Sequence, residues 1–176
     1  MEGKITDLRG KVDIITPGIV GVTETWGKER LEEKDFELKD YTQYRNDRSD
    51  VYGGTILYVK QEIEQRVCRP LNTPGFDNSA WCWIVEKGGK KTLVGSVYRS
   101  PNSSEENDNL LLDKLLLANE IAGDNRVLIM GDFNLPNIDW VDKDLRRGAR
   151  RAEVQMLEVI NDWFFFTNMW KRIPGL

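Results

Sequence analysis

Hydrophobic residues fall along this chain in short runs whose spacing changes from one element to the next. Ile19-Val20-Gly21-Val22-Thr23-Glu24-Thr25-Trp26, set between Pro17-Gly18 and Gly27, is apolar and β-branched and predicts a buried strand. Gly53-Gly54-Thr55-Ile56-Leu57-Tyr58-Val59-Lys60 predicts a second. Trp81 to Glu86 and Thr92 to Tyr98 predict two more, joined by Lys87-Gly88-Gly89-Lys90. Glycine there supplies the positive φ angles that a tight antiparallel turn needs. The period then changes. Leu111, Leu115, Ala118 and Ala122 share one helical face, Ser103 and Glu106 have the spacing of a capping box, and Gly123 ends the helix. Arg126 to Met130 is a short apolar strand running directly into Gly131-Asp132-Phe133-Asn134. A last helix is predicted from Ala149 to about Trp163, with Val154, Leu157, Val159 and Ile160 inward. Early hairpins followed by alternating helix and strand predict an α/β fold with a mixed sheet, or a pair of sheets, covered by helices. Without repeats, low-complexity blocks or linkers, residues 1–176 read as one domain.

Composition narrows the chemistry more than the fold. Hydrophobic residues are 40% of the chain, enough to bury a core. No run of about 18 apolar residues occurs, and the start, Met1-Glu2-Gly3-Lys4, is polar. The expectation is therefore an intracellular protein, nuclear or cytoplasmic, with no membrane partner. Cys68 and Cys82 then read as free thiols. Histidine is absent from the sequence. That removes histidine acid/base catalysis, histidine-ligated zinc and every Ser-His-Asp or Cys-His arrangement. Any catalysis must run on carboxylates, amides, tyrosine, lysine or a hard metal ion such as magnesium. A net charge of -4 argues against bulk nonspecific nucleic-acid binding, while a local basic groove remains compatible with it.

Asp132 and Asn134 stand two apart at a strand end, so both side chains project from the same face. Polar groups at strand ends build sites in open α/β folds, and equally they make ordinary solvated turns. Glu24 interrupts an apolar strand; it can hold a magnesium ion through one or two oxygens, or simply reach water. Tyr98 and Arg99 follow the second hairpin strand. A tyrosine hydroxyl can donate to a phosphate oxygen and an arginine fork can pair with one, although the same residues suit a proline turn.

Taken together, these segments resemble the endonuclease/exonuclease/phosphatase (DNase I-like) superfamily. Thr23-Glu24-Thr25-Trp26 resembles its metal-binding glutamate strand, and Gly53 to Lys60 its Gly-Gly-x-x-x-Tyr-Val-Lys strand. Val97 to Ser104 is similar to its Tyr-Arg-x-Pro segment. Leu128 to Trp140, through Gly131-Asp132-Phe133-Asn134-Leu135-Pro136-Asn137-Ile138-Asp139-Trp140, resembles the Gly-Asp-Phe-Asn motif as it occurs in endonuclease domains of non-LTR retrotransposons. The resemblance implies a four-layer sandwich of two packed mixed β-sheets flanked by helices. It also implies phosphodiester hydrolysis of DNA dependent on Mg2+ (or Mn2+). Glu24 would bind the metal, Asp132 orient and deprotonate the attacking water, Asn134 hold the phosphate, and Tyr98 stabilise charge developing in the transition state.

The family's pattern also ends in a Ser-Asp-His segment, and its first strand carries an asparagine; neither is found here. Leu8 to Asp13 is similar to the start of the family's first helix, with Pro17-Gly18 arriving early. The expectation is a domain truncated at both ends, weakly active or inactive, from a parent polyprotein that carries a reverse transcriptase. The alternative is a noncatalytic nucleic-acid or protein binding module that kept the fold. A phosphoinositide or sphingolipid substrate is a third reading, which the retrotransposon-like continuation disfavours. Arg146, Arg147, Arg150 and Arg151 stand at the beginning of the last predicted helix, where cations oppose the helix dipole. A DNA phosphate would relieve that conflict, and a solvated face would also account for the cluster. Trp140 could stack on a base or pack in the core.

Overall fold

The computed structural model describes residues 2–25, 33–46, 54–73 and 75–161. Its layers follow from the alternation of side chains along two sheets. The first sheet pairs β1 (Ile19–Thr23) and β2 (Tyr41–Asn46) on either side of β3 (Thr55–Lys60). Both pairings are antiparallel, so the mixed character expected of each sheet belongs to the second one alone. The second sheet has the order β4 (Gln65–Val67), β5 (Ser79–Val85), β6 (Lys91–Tyr98), β7 (Arg126–Asp132). Its β6–β7 pairing is parallel and is bridged by helix α2 (Glu105–Ala122). Parallel neighbours need such a crossover.

In β3, Leu57 and Val59 meet Ala80, Cys82, Ile84 and Val94 of the second sheet. Ile56 and Tyr58, pointing the other way, meet Leu8 and Val12 of helix α1 (Glu2–Ile15). On the far side, Trp81, Leu93 and Val97 pack under Leu111, Leu115, Ala118 and Ala122 of α2 and Met156, Leu157 and Ile160 of helix α3 (Arg151–Asn161). The layers are therefore helix, sheet, sheet, helices. Two glycines make room, one between the sheets and one within the second sheet. A Cβ on Gly21 would sit 2.8 Å from Met130 across the sheets, and one on Gly95 would sit 2.4 Å from the ring of fully buried Trp81.

The expected strands appear close to their expected places, and Gly88 and Gly89 take φ of 94° and 80° in the hairpin. Trp26, Gly53 and Trp163 lie outside the described residues. Three details differ. The cap of α2 is Ser104, whose hydroxyl accepts from the Asn107 N–H at 3.2 Å; Ser103 instead accepts from the Asn107 side chain at 2.8 Å, and Glu106 is exposed. Helix α3 begins at Arg151, and its buried stripe is Glu153, Met156, Leu157 and Ile160, with Val154 and Val159 half-buried beside it. The sequence between β7 and α3 forms a small ribbon, β8 (Ile138–Asp139) with β9 (Asp144–Leu145). Among the described residues no helix is long and apolar enough to cross a membrane.

Candidate active site

Five chain segments reach one end of the sandwich: the end of β1, the starts of β3 and β5, and the ends of β6 and β7. Their registers place them there, with Thr23 opposite Thr55, Ser79 opposite Val97 and Tyr98 opposite Asp132. Asn78 knits them. Its carbonyl accepts from the Tyr98 N–H at 2.8 Å and the Thr55 hydroxyl at 3.3 Å, and its side-chain oxygen accepts from the Gly54 N–H at 3.4 Å.

Glu24 leaves β1 with φ of 57°, and Asn134 leaves β7 with φ of 48°. Such left-handed backbone is disfavoured for residues with a Cβ and persists only where its surroundings hold it. Glu24 is exposed, and its carboxylate accepts a hydrogen bond from the Tyr98 hydroxyl at 2.9 Å. Burial, then the bond to Glu24 and the charges of Glu24 and Asp132, push the Tyr98 phenol up to about 12. Tyr98 thus stays protonated and serves as a donor. Both carboxylates act on one hydroxyl, which makes the cluster electronegative and apt for a cation.

Gly131 brings β7 against β6 so closely that a Cβ there would fall 1.7 Å from the Val97 carbonyl oxygen; its φ is 144°. Beyond it, Asp132 accepts from the Asn134 N–H at 3.0 Å, and the Asn134 amide donates to the Arg99 carbonyl at 2.7 Å. Glu24, Tyr98, Asp132 and Asn134 are therefore brought together from three strands.

Arg99 is turned away from this cluster, contrary to the expectation of a phosphate contact. Only 2% exposed, it pairs through Nε and Nη2 with both carboxylate oxygens of Asp108, at 2.7 and 2.9 Å. Its Nη1 donates to the carbonyls of Asn134 and Ser100 at 3.1 and 3.2 Å. The arginines near α3 are exposed at its start. Arg146 pairs with Asp139 at 3.1 Å and Arg151 with Glu105 at 2.6 Å. The unfavourable meeting of cations and helix dipole is offset internally. Glu153, with no exposed surface, accepts from the Arg150 N–H at 2.6 Å and from the backbone and side chain of Asn137. Burial alone would raise the Glu153 carboxyl, but those donors outweigh it and hold the group below its ordinary value. Trp140, half-buried, packs against Phe133 at the edge of the core, ring centroids 5.6 Å apart.

Asn78, Asp108 and Glu153 went unmarked in the sequence. The latter two did leave a signal, because each is a carboxylate on the inward stripe of an amphipathic helix, where an unpaired charge is costly. Among the described residues, no three His, Cys, Asp or Glu side chains converge as a ready ligand set. Cys68 and Cys82 are buried free thiols with raised pKa.

The chain matches the endonuclease/exonuclease/phosphatase family over residues 4–175 and belongs to it. Among solved structures, an AP endonuclease from Archaeoglobus fulgidus aligns over 88% of this chain and 65% of its own, with 18% identity and a TM-score of 0.52. The APE2 catalytic domain of Xenopus laevis aligns over 74% and 55%, with 15% identity and a TM-score of 0.52. The human Nocturnin catalytic domain with bound sulfate anion aligns over 76% and 57%, with 12% identity and a TM-score of 0.51. These likenesses are of fold. In each case the matched protein chain is longer than the part this chain spans. No curated protein sequence matches the chain.

Proposed function

We propose that this chain carries the site of a divalent-metal-dependent phosphodiesterase acting on DNA, of retrotransposon endonuclease type. The observation that carries the reading is the meeting of Glu24, Tyr98, Asp132 and Asn134 at one end of the sandwich, with Tyr98 bonded to Glu24. Glu24 would hold a magnesium or manganese ion. All the donors on offer are hard oxygens, and magnesium takes one or two carboxylates while keeping several waters. Such an ion, when bound, offsets phosphate charge. Tyr98 orients the Glu24 carboxylate with its own proton. Asp132 would take a proton from the attacking water as the new P–O bond forms and the bond to the leaving alcohol breaks. The second N–H of the Asn134 amide, the first being spent on Arg99, would hold a phosphate oxygen. Exposed Arg147, with Arg146, Arg150 and Arg151 beside it, supplies positive charge for the DNA backbone. The Leu135-Pro136-Asn137-Ile138-Asp139-Trp140 continuation supports the retrotransposon branch.

Incubation of the purified chain with supercoiled plasmid and magnesium tests this. Weak EDTA-sensitive nicking, abolished in Asp132→Ala, is the expected result; a folded chain that leaves the plasmid intact refutes the catalytic reading. A second reading, a noncatalytic binding module, draws on the absence of histidine and on the inward use of the Tyr98 proton and the Asn134 amide. It predicts DNA retained in a gel shift with no cleavage at any magnesium concentration.

A further inference from the structure

We propose that Arg99 and Asp108 are a buried clamp that sets the orientation of Asn134, making both positioning residues for the site. The inference deepens the phosphodiesterase reading and rests on it for the role of Asn134. Its geometry stands apart from activity. Arg99 meets the β7 end at three points. Its main-chain N–H donates to the Asp132 carbonyl at 2.8 Å and its main-chain carbonyl accepts from the Asn134 side-chain amide at 2.7 Å, while the guanidinium Nη1 holds the Asn134 main-chain carbonyl at 3.1 Å. Within the loop itself, the Asp132 carboxylate accepts from the Asn134 N–H at 3.0 Å. Asn134 is a left-handed residue with φ of 48°, a conformation that needs holding.

The fork of Arg99 is fixed in turn by Asp108 from the first turn of α2, through two parallel bonds. A bidentate pair has one geometry, so it transmits the position of α2 to the loop. A lysine keeps the charge and loses that fork. Neither residue faces the outside: Arg99 is 2% and Asp108 8% exposed, so their effect on a substrate passes through Asn134. Asp132 and Asn134 are thereby set by the helical layer as well as by their own strand.

The side-chain amide of Asn134, followed by NMR and assigned by its loss in Asn134→Ala, reports the clamp through the loop, because the guanidinium holds the Asn134 backbone that aims this amide at the Arg99 main-chain carbonyl. In the unaltered chain we expect its signals displaced from those of a free asparagine, with slowed hydrogen exchange. In Arg99→Lys they should return toward the free position and exchange faster. Glu153→Gln is the control, a buried carboxylate of α3 that bonds Asn137 and not Asn134. It should lower stability and leave the Asn134 signals in place. Unchanged signals in a cooperatively folding Arg99→Lys overturn the clamp, as does an equal displacement in Glu153→Gln. Where Arg99→Lys does not fold, Asp108→Asn is read the same way. In plasmid nicking, Arg99→Lys should lower kcat about 10- to 100-fold with KM nearly constant, the signature of misplacement. An unchanged kcat overturns the positioning role. Absence of nicking by the unaltered chain counts against the phosphodiesterase reading alone, and the amide signals still decide the clamp.

Discussion

The Tyr98 hydroxyl reaches Glu24 across 74 residues of sequence, and the bond joins the two sheets at the site. Tyr98→Phe removes one charge-assisted hydrogen bond between a buried phenol and an exposed carboxylate. Stability should fall by about 1 kcal/mol or less, while nicking falls roughly 10- to 100-fold as the Glu24 carboxylate loses its orientation. Urea unfolding and plasmid nicking measured side by side check this; equal activity in the variant would remove Tyr98 from the site. Asp132, Asn134, Glu24 and Tyr98 were legible as polar groups at the ends of apolar strands. Arg99 was legible as an arginine beside them, but its direction was not. Its partner Asp108 comes from the following helix, and the spacing of the two along the chain carries no angle. The same applies to Arg150, whose conflict with the dipole of α3 is met by Glu153 at the third position of its own helix.

Elements differ in how far local pattern decides them. Helix α2 has a strong apolar stripe, and its limits were legible except for the cap, which moved by one residue. Ser103 and Ser104 are both capping residues by type, and the turn after Pro101 decides that Ser104 faces the open N–H groups. Ser104→Ala should therefore cost about 1 kcal/mol, and Ser103→Ala well under half of that, in urea titrations of the two variants. The reverse order would return the cap to Ser103. Strand β2, Tyr41-Thr-Gln-Tyr-Arg-Asn46, has no run of apolar residues and was not legible. It is a strand because β3 offers it a paired edge from Lys60 to Thr55. Helix α1 was legible only as a resemblance over Leu8 to Asp13. Its burial rests on Leu8 and Val12 meeting Ile56 and Tyr58, residues that lie more than forty positions away.

Across the whole molecule, packing the sheets on each other and on the helices buries hydroxyls and thiols along with the apolar residues. Tyr44, Tyr58 and Tyr98 are each pushed from 10.0 up to about 12, and Cys82 from 9.0 up to about 12, burial being the first cause in every case. These groups ionise at lower pH in the unfolded chain, so between about pH 9 and 12 the native state binds more protons. Their contribution to stability is complete below the unfolded values and is lost as pH rises toward 12. Lys114 works the other way. Burial, partly countered by Asp77, holds it below 10.5, so its contribution grows as pH rises to that value and then stops. Lys114 opposes these three phenols and this thiol, and burial also raises Tyr41 and Cys68, so the urea midpoint should fall steadily from pH 9 to pH 11. A midpoint constant over that range would contradict the burial of these groups.

What the sequence by itself determined is strands β1, β3, β5, β6 and β7, the two later helices and the identity of the polar residues at the strand ends. Periodicity and turn chemistry are local, and a run such as Thr55 to Lys60 specifies its own conformation and its two faces. The tertiary structure alone decided which face meets what, that Tyr98 donates to Glu24, and that Arg99 turns inward to Asp108. Those outcomes depend on register and on the angle between layers. Both are set by the sum of many contacts between residues distant in the chain, and no short stretch of sequence contains them.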